Sequence, residues 1–141
     1  MKCHLKRLLA LALAAVMLLA LTACGKAPQI GGVTIPVQDG AVIGQGSRTF
    51  AVEVTVQDGK TVRFTVRTDQ ETVGAALQEL GVVAGEQSSY GLYIKTVNGI
   101  TADYDRDGVY WAFYIDGGYA ATGADQTGIT DGSVYAFRVE K

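Results

Sequence analysis

The residues best suited by type and spacing to hold a ligand form the run Asp103-Tyr104-Asp105-Arg106-Asp107-Gly108. Carboxylates at alternate positions with glycine at the sixth copy the first half of a calcium loop, in which oxygens wrap a hard cation and the glycine permits a tight turn. The second half does not follow. Tyr114 stands where a bidentate glutamate is needed, and Arg106 offsets part of the charge a cation requires. The run is therefore read as an acidic connection between strands, and no metal site is expected. Asp103, Asp105 and Asp107 are also an insufficient basis for glycoside hydrolysis, which needs two carboxyl groups flanking a cleft.

The single histidine, His4, and both cysteines, Cys3 and Cys24, fall within the first 24 residues. Beyond them there is no imidazole for acid-base work, no thiol nucleophile and no His or Cys ligand for zinc or haem, so the folded part is expected to be noncatalytic and without a cofactor. What remains distinctive is aromatic. Eight of the twelve aromatic residues lie between Tyr90 and Tyr119. The two-residue period of a strand sends Trp111, Phe113 and Ile115 to one face and Tyr110, Ala112 and Tyr114 to the other. Two accounts of the tyrosines are open: cross-strand packing on an uncovered face, or a rigid amphipathic platform for a planar ligand, a sugar or a protein strand. Tyr110, Tyr114 and Tyr119 are the candidate ligand residues on the second account.

Residues 1–23 have the plan of a secretory leader, with Lys2, Lys6 and Arg7, then an apolar run from Leu8 to Leu21. That run is shorter than the roughly twenty residues needed to span a bilayer as a helix. Leu21-Thr22-Ala23-Cys24 resembles the bacterial lipobox, which makes Cys24 the expected lipid attachment site and first mature residue. The product is an exported lipoprotein facing away from the cytoplasm, anchored to the membrane by its acyl chains. Beyond residue 23, nine basic residues stand against fourteen acidic ones, a formal charge of −5. That balance disfavours nucleic acid as a partner.

The elements that must position the tyrosines follow from periodicity. Residues 24–47, rich in glycine and carrying Pro28 and Pro36, read as a flexible tether. Within them Gly44-Gln45-Gly46 lacks the strand-loop-helix context of a phosphate loop. From residue 48 a single domain is expected to run to 141. Phe50, Val52, Val54 and Val56 alternate with polar residues, as do Val62, Phe64 and Val66. Asp58-Gly59 between them predicts a hairpin with a primed turn. Val73, Ala76, Leu77 and Leu80 are spaced for one helix face, from near Thr72 to Leu80, ended by Gly81. Strands at Tyr90–Val97, Val109–Asp116 and Ser133–Glu140 complete the order β-β-α-β-β-β. The predicted fold is α+β: a β-grasp-like mixed sheet with one short helix on one face.

The stretches Asn98-Gly99-Ile100, Tyr110-Trp111-Ala112-Phe113-Tyr114-Ile115-Asp116-Gly117 and Asp131-Gly132-Ser133-Val134-Tyr135-Ala136-Phe137, with the preceding helix from Thr72 to Gly81, resemble a bacterial domain family. This family is similar to the carboxy-terminal domain of transcobalamin and intrinsic factor, and the resemblance runs from about Phe50 to Lys141. In the vitamin-binding relatives the domain covers one face of a corrinoid held jointly with a helical domain. The resemblance thus implies a noncatalytic binding module for cobalamin, another corrinoid or a similarly flat ligand. The other expectation is a structural or protein-interaction module of a cell-envelope assembly, acting through a sheet edge or loops.

Overall fold

The computed structural model of the chain describes residues 29, 30 and 32–141. The leader and the lipid site at Cys24 lie outside the described residues. The strands are β1 (Gln29–Ile30), β2 (Val33–Thr34), β3 (Val42–Gly44), β4 (Arg48–Thr55), β5 (Thr61–Thr68), β6 (Val83–Ser88), β7 (Gly91–Val97), β8 (Ile100–Thr101), β9 (Tyr110–Ile115), β10 (Gly118–Tyr119) and β11 (Val134–Glu140). Helix α1 spans Val73–Glu79, the single turn α2 spans Tyr104–Asp107, and a 3-10 turn covers Ala124–Gln126.

Alternation in β4 buries Phe50, Val52 and Val54 on one face, and in β5 it buries Phe64 and Val66. The two strands pair antiparallel from Arg48↔Thr68 to Thr55↔Thr61. Their connection departs from the primed turn expected at Asp58-Gly59. Val56 N–H donates to the Lys60 carbonyl and Gly59 N–H to the Val56 carbonyl, giving a three-residue loop in which Gly59 alone has positive φ, at 90°. Such a loop joins a type I turn to a glycine bulge. Consecutive residues at positive φ occur instead at Asn98-Gly99, between β7 and β8, and at Asp116-Gly117, between β9 and β10. Each is a two-residue hairpin loop whose twist matches its strands.

Helix α1 forms where the sequence places it. The Thr72 hydroxyl accepts from Ala75 N–H at 3.2 Å, capping the start. Val73, Ala76, Leu77 and the capping residue Leu80 turn inward and are buried. At seven residues the helix is too short to persist alone, so this buried stripe holds it in place.

The main sheet has the order β10-β9-β11-β4-β5-β3. β11 runs parallel to β4 and antiparallel to β9, while β3 runs parallel to β5. The four central strands form the expected mixed sheet of a first hairpin and returning strands, and the structure adds that the last strand lies parallel beside β4. Tyr135 and Phe137 of β11 are buried at the centre, each contributing about 1.5–3 kcal/mol of burial.

Two expectations change. The strand predicted at Tyr90–Val97 is not part of this sheet; β7 lies in a separate antiparallel sheet of order β6-β7-β8. Its partner β6 shows no alternation, since only Val83 is buried and the next five residues are exposed, so it carries no period by which to read a strand. The predicted tether also proves partly structured. Val33 and Val37 are buried, β3 pairs with β5, and the Asp39 carboxylate accepts Arg63 N–H at 2.8 Å. Asn98 clamps this segment: its Oδ1 accepts Val37 N–H at 2.6 Å and its Nδ2 donates to the Val37 carbonyl at 3.2 Å. The apolar patches at 33–43 are too short to announce strands, and partners far along the chain stabilise them.

Candidate ligand-binding face

β9 is the element that divides the aromatics. On its inner side Phe113 stacks between Phe137, at 5.1 Å between centroids, and Tyr135, at 6.2 Å. Trp111 is buried and donates its indole N–H to the Ile100 carbonyl at 3.2 Å. These contacts hold β9 rigidly against the core.

On the outer side the structure brings Tyr110, Tyr114 and Tyr119 together. Tyr119 pairs directly with Tyr114 across β10 and β9, their rings edge to face at 5.5 Å. The Tyr119 hydroxyl is the neighbour that most affects the Tyr110 phenol. The Tyr114 hydroxyl donates to the Glu140 carboxylate, and the Arg138 guanidinium lies 4.4 Å from the Tyr114 ring centroid. Tyr104 of α2 meets Tyr110 edge to face at 6.5 Å. Tyr119 and Tyr104 remain 65% and 57% exposed, so the group is an open surface with oriented rings. Tyr93, beneath the Lys95 ammonium, belongs to the other sheet, as does the turn carrying Tyr90.

Arg138 and Glu140 are the members of this face that the sequence reading did not name. They have the same parity as Ala136 on β11, and register places Glu140 opposite Tyr110 and Ala136 opposite Tyr114. A two-residue count along the last strand gives their shared parity, and the pairing with β9 gives the face.

Hydrogen bonding sets the chemistry of the phenols. Interaction with the Tyr119 hydroxyl, then partial desolvation, raises Tyr110 above the ordinary phenol value of 10.0. The bond to Glu140, then desolvation, raises Tyr114. Both groups stay neutral donors throughout the physiological range and do not serve as bases. Because the folded values are raised, the stabilisation from these phenols is fully present below about pH 10, where an unfolded tyrosine begins to ionise. It is lost as pH climbs through the raised values. Phenolate absorbance is expected to show Tyr110 and Tyr114 ionising above the ordinary phenol value, and Tyr114→Phe should remove one of these two late steps.

The acidic run is not gathered around a cation position. It forms α2 and serves its own backbone: Asp103 Oδ1 accepts Asp105 N–H at 3.2 Å, and Asp107 Oδ2 accepts Asp103 N–H at 3.1 Å. Gly108, at φ 69°, closes the turn. Among the described residues no group of three or more His, Cys, Asp or Glu side chains is placed to hold a metal ion. Asp116, Asp125 and Asp131 likewise accept backbone N–H groups, from Val134, Leu92 and Thr49.

A small α+β domain with an uncovered aromatic face is thus defined. The chain belongs to the DUF4430 family, a domain of unknown function, whose model matches residues 70–141. It is similar to a "putative metal binding protein" from Ruminococcus gnavus ATCC 29149, known from a crystal structure at 1.30 Å, with 32% sequence identity and a TM-score of 0.63. That similarity covers 67% of this chain and 98% of the other. A second similar structure is haptocorrin in complex with Cbi, at 21% identity and a TM-score of 0.47, covering 70% of this chain and 26% of that one. No curated protein matches the chain.

Proposed function

We propose that the domain is a noncatalytic binding module whose tyrosine face receives a flat or ring-shaped ligand, held at the outer surface of a membrane by a lipid on Cys24. The observation that carries this reading is the set of oriented, part-exposed rings of Tyr110, Tyr114 and Tyr119, braced by Arg138 and Glu140 and met at one end by Tyr104. Aromatic rings supply contact area at little conformational cost, and hydroxyls fixed by neighbours offer polar recognition at their edges. A corrinoid is the first candidate because the sequence resemblance implies one, and its ring fits a stacking surface.

The test is calorimetric titration of the protein with cobinamide and with cobalamin, since Trp111 faces the core and is a poor optical reporter of the outer face. Saturable heat is expected, weakened about tenfold by Tyr119→Ala, the loss of one well-packed aromatic contact. Heat no larger than dilution with both compounds removes corrinoids as ligands of this chain.

A second reading has its own observation. β6 is an edge strand with five exposed residues, and such an edge can add a strand from an envelope protein. On that reading binding is insensitive to Tyr119→Ala and is lost when proline replaces Gln87.

A further inference from the structure

Where β9 begins and β11 ends, separate segments of the chain enclose a cleft of about 590 Å³. Its aliphatic lining comes from Val56 just beyond β4, Ile100 of β8, Ala102, Val109, and Val139 of β11, with Gln57 and Thr101 between them. Val56 and Val139 pack against the hydrophobic core, and Ala102 and Val109 are buried, so the cleft is the place where the core opens to solvent. The volume falls in the range of small-molecule sites, and apolar walls are their usual lining. Among the described residues no buried side-chain polar atom lacks a partner.

The mouth is different. It carries Arg106, Asp107 and Asp58. Asp107 receives Nε and Nη2 of Arg106, both at 3.0 Å, as well as Asp103 N–H. Asp58 accepts Lys60 N–H at 2.9 Å and has the Lys60 ammonium at 3.7 Å. Both carboxylates are therefore engaged. The Arg106 guanidinium is held in place by its bonds to Asp107, and its Nη1 has no acceptor among the described residues. The open hydrogen-bonding capacity at the mouth is a cationic donor, matched by an anionic acceptor.

We propose that this cleft is a second ligand site, for a small amphipathic anion: a ring system or branched chain against the aliphatic walls, with a carboxylate or sulfonate accepting from Arg106. It shares no residue with the tyrosine face.

The test uses anilinonaphthalene sulfonate as the probe and phenylnaphthylamine, a related ring system without the charge, as its comparison, each titrated against the purified protein by fluorescence. One saturable site is expected for the sulfonate. Arg106→Gln should weaken it about tenfold, the scale of one charge-assisted hydrogen bond, and leave phenylnaphthylamine unchanged. Ile100→Asp, at a position already 40% exposed, should weaken both probes. Should Ile100→Asp fail to fold, the Arg106→Gln comparison decides alone. Unsaturable fluorescence, or sulfonate binding indifferent to Arg106→Gln, would each overturn the proposal.

Discussion

Asn98→Ala is expected to destabilise the domain by about 3–4 kcal/mol, enough to lower the melting temperature by about 10 °C or more. Two effects combine. The substitution deletes the paired hydrogen bonds to Val37 and leaves that residue's buried N–H and carbonyl unsatisfied, at about 1–3 kcal/mol each before local relaxation. It also places an ordinary side chain at φ 50°, in the left-handed region that asparagine tolerates and alanine does not. Asn98→Gly separates the two, because glycine keeps the turn conformation and removes only the amide. The expected order in thermal melts is wild type, then Asn98→Gly, then Asn98→Ala. Hydrogen exchange should locate the added opening at residues 33–44, the segment that Asn98 pins. Equal stability of all three proteins would remove the clamp from the account.

Gly74→Ala has a comparably large effect and an unusual sign. In an exposed helix interior the change stabilises by about 1 kcal/mol, through helix propensity. Here a Cβ would lie 2.6 Å from both the Cα and the amide nitrogen of Asp125, and 2.9 Å from the carbonyl carbon of Ala124. Those are backbone atoms, so relief requires the 3-10 turn to move away from α1. The Asp125 carboxylate also accepts Leu92 N–H at 3.0 Å, and a displaced turn strains this tie to β7. The clash outweighs the propensity gain, for a net loss of about 2–3 kcal/mol. Denaturant titration measures it, and a midpoint at or above that of the wild type would contradict the packing described for this helix.

The parts of the fold legible in the sequence are those set by local periodicity. Phe50, Val52 and Val54 declare β4 by alternation, and Val73, Ala76 and Leu77 declare α1 by helical spacing, because each buries one face against a neighbour nearby in the chain. Strands too short or too polar to show a period were not legible. β3 is three residues long and gains its place from β5, and Val37 is fixed by a side chain 61 positions away. β6 is exposed on both faces over most of its length, so it has no hydrophobic period. The loop at Asp58-Gly59 carried a primed-turn dipeptide, yet the register of Val56 with Lys60 made room for one more residue.

The same distinction holds at the site. Alternation along a single strand placed Tyr110 and Tyr114 on one face, and the short loop at Asp116-Gly117 returned Tyr119 to them. Arg138 and Glu140 join through strand pairing, which requires knowing that β11 lies beside β9 in antiparallel register. The cleft beneath Ile100 was invisible for a stronger reason: its walls come from segments spread between Val56 and Val139, and no local pattern encodes their meeting.

The central claim is that the outer face of β9 and β10 is where a flat ligand binds. The most direct measurement is the change in amide nuclear magnetic resonance shifts of the isotope-labelled protein as cobinamide is added. The account predicts saturable shifts centred on Tyr110, Tyr114, Tyr119 and Arg138, with the β6 edge and the surroundings of Ile100 unmoved. A spectrum unchanged at saturating ligand, or shifts centred away from these four residues, would contradict it.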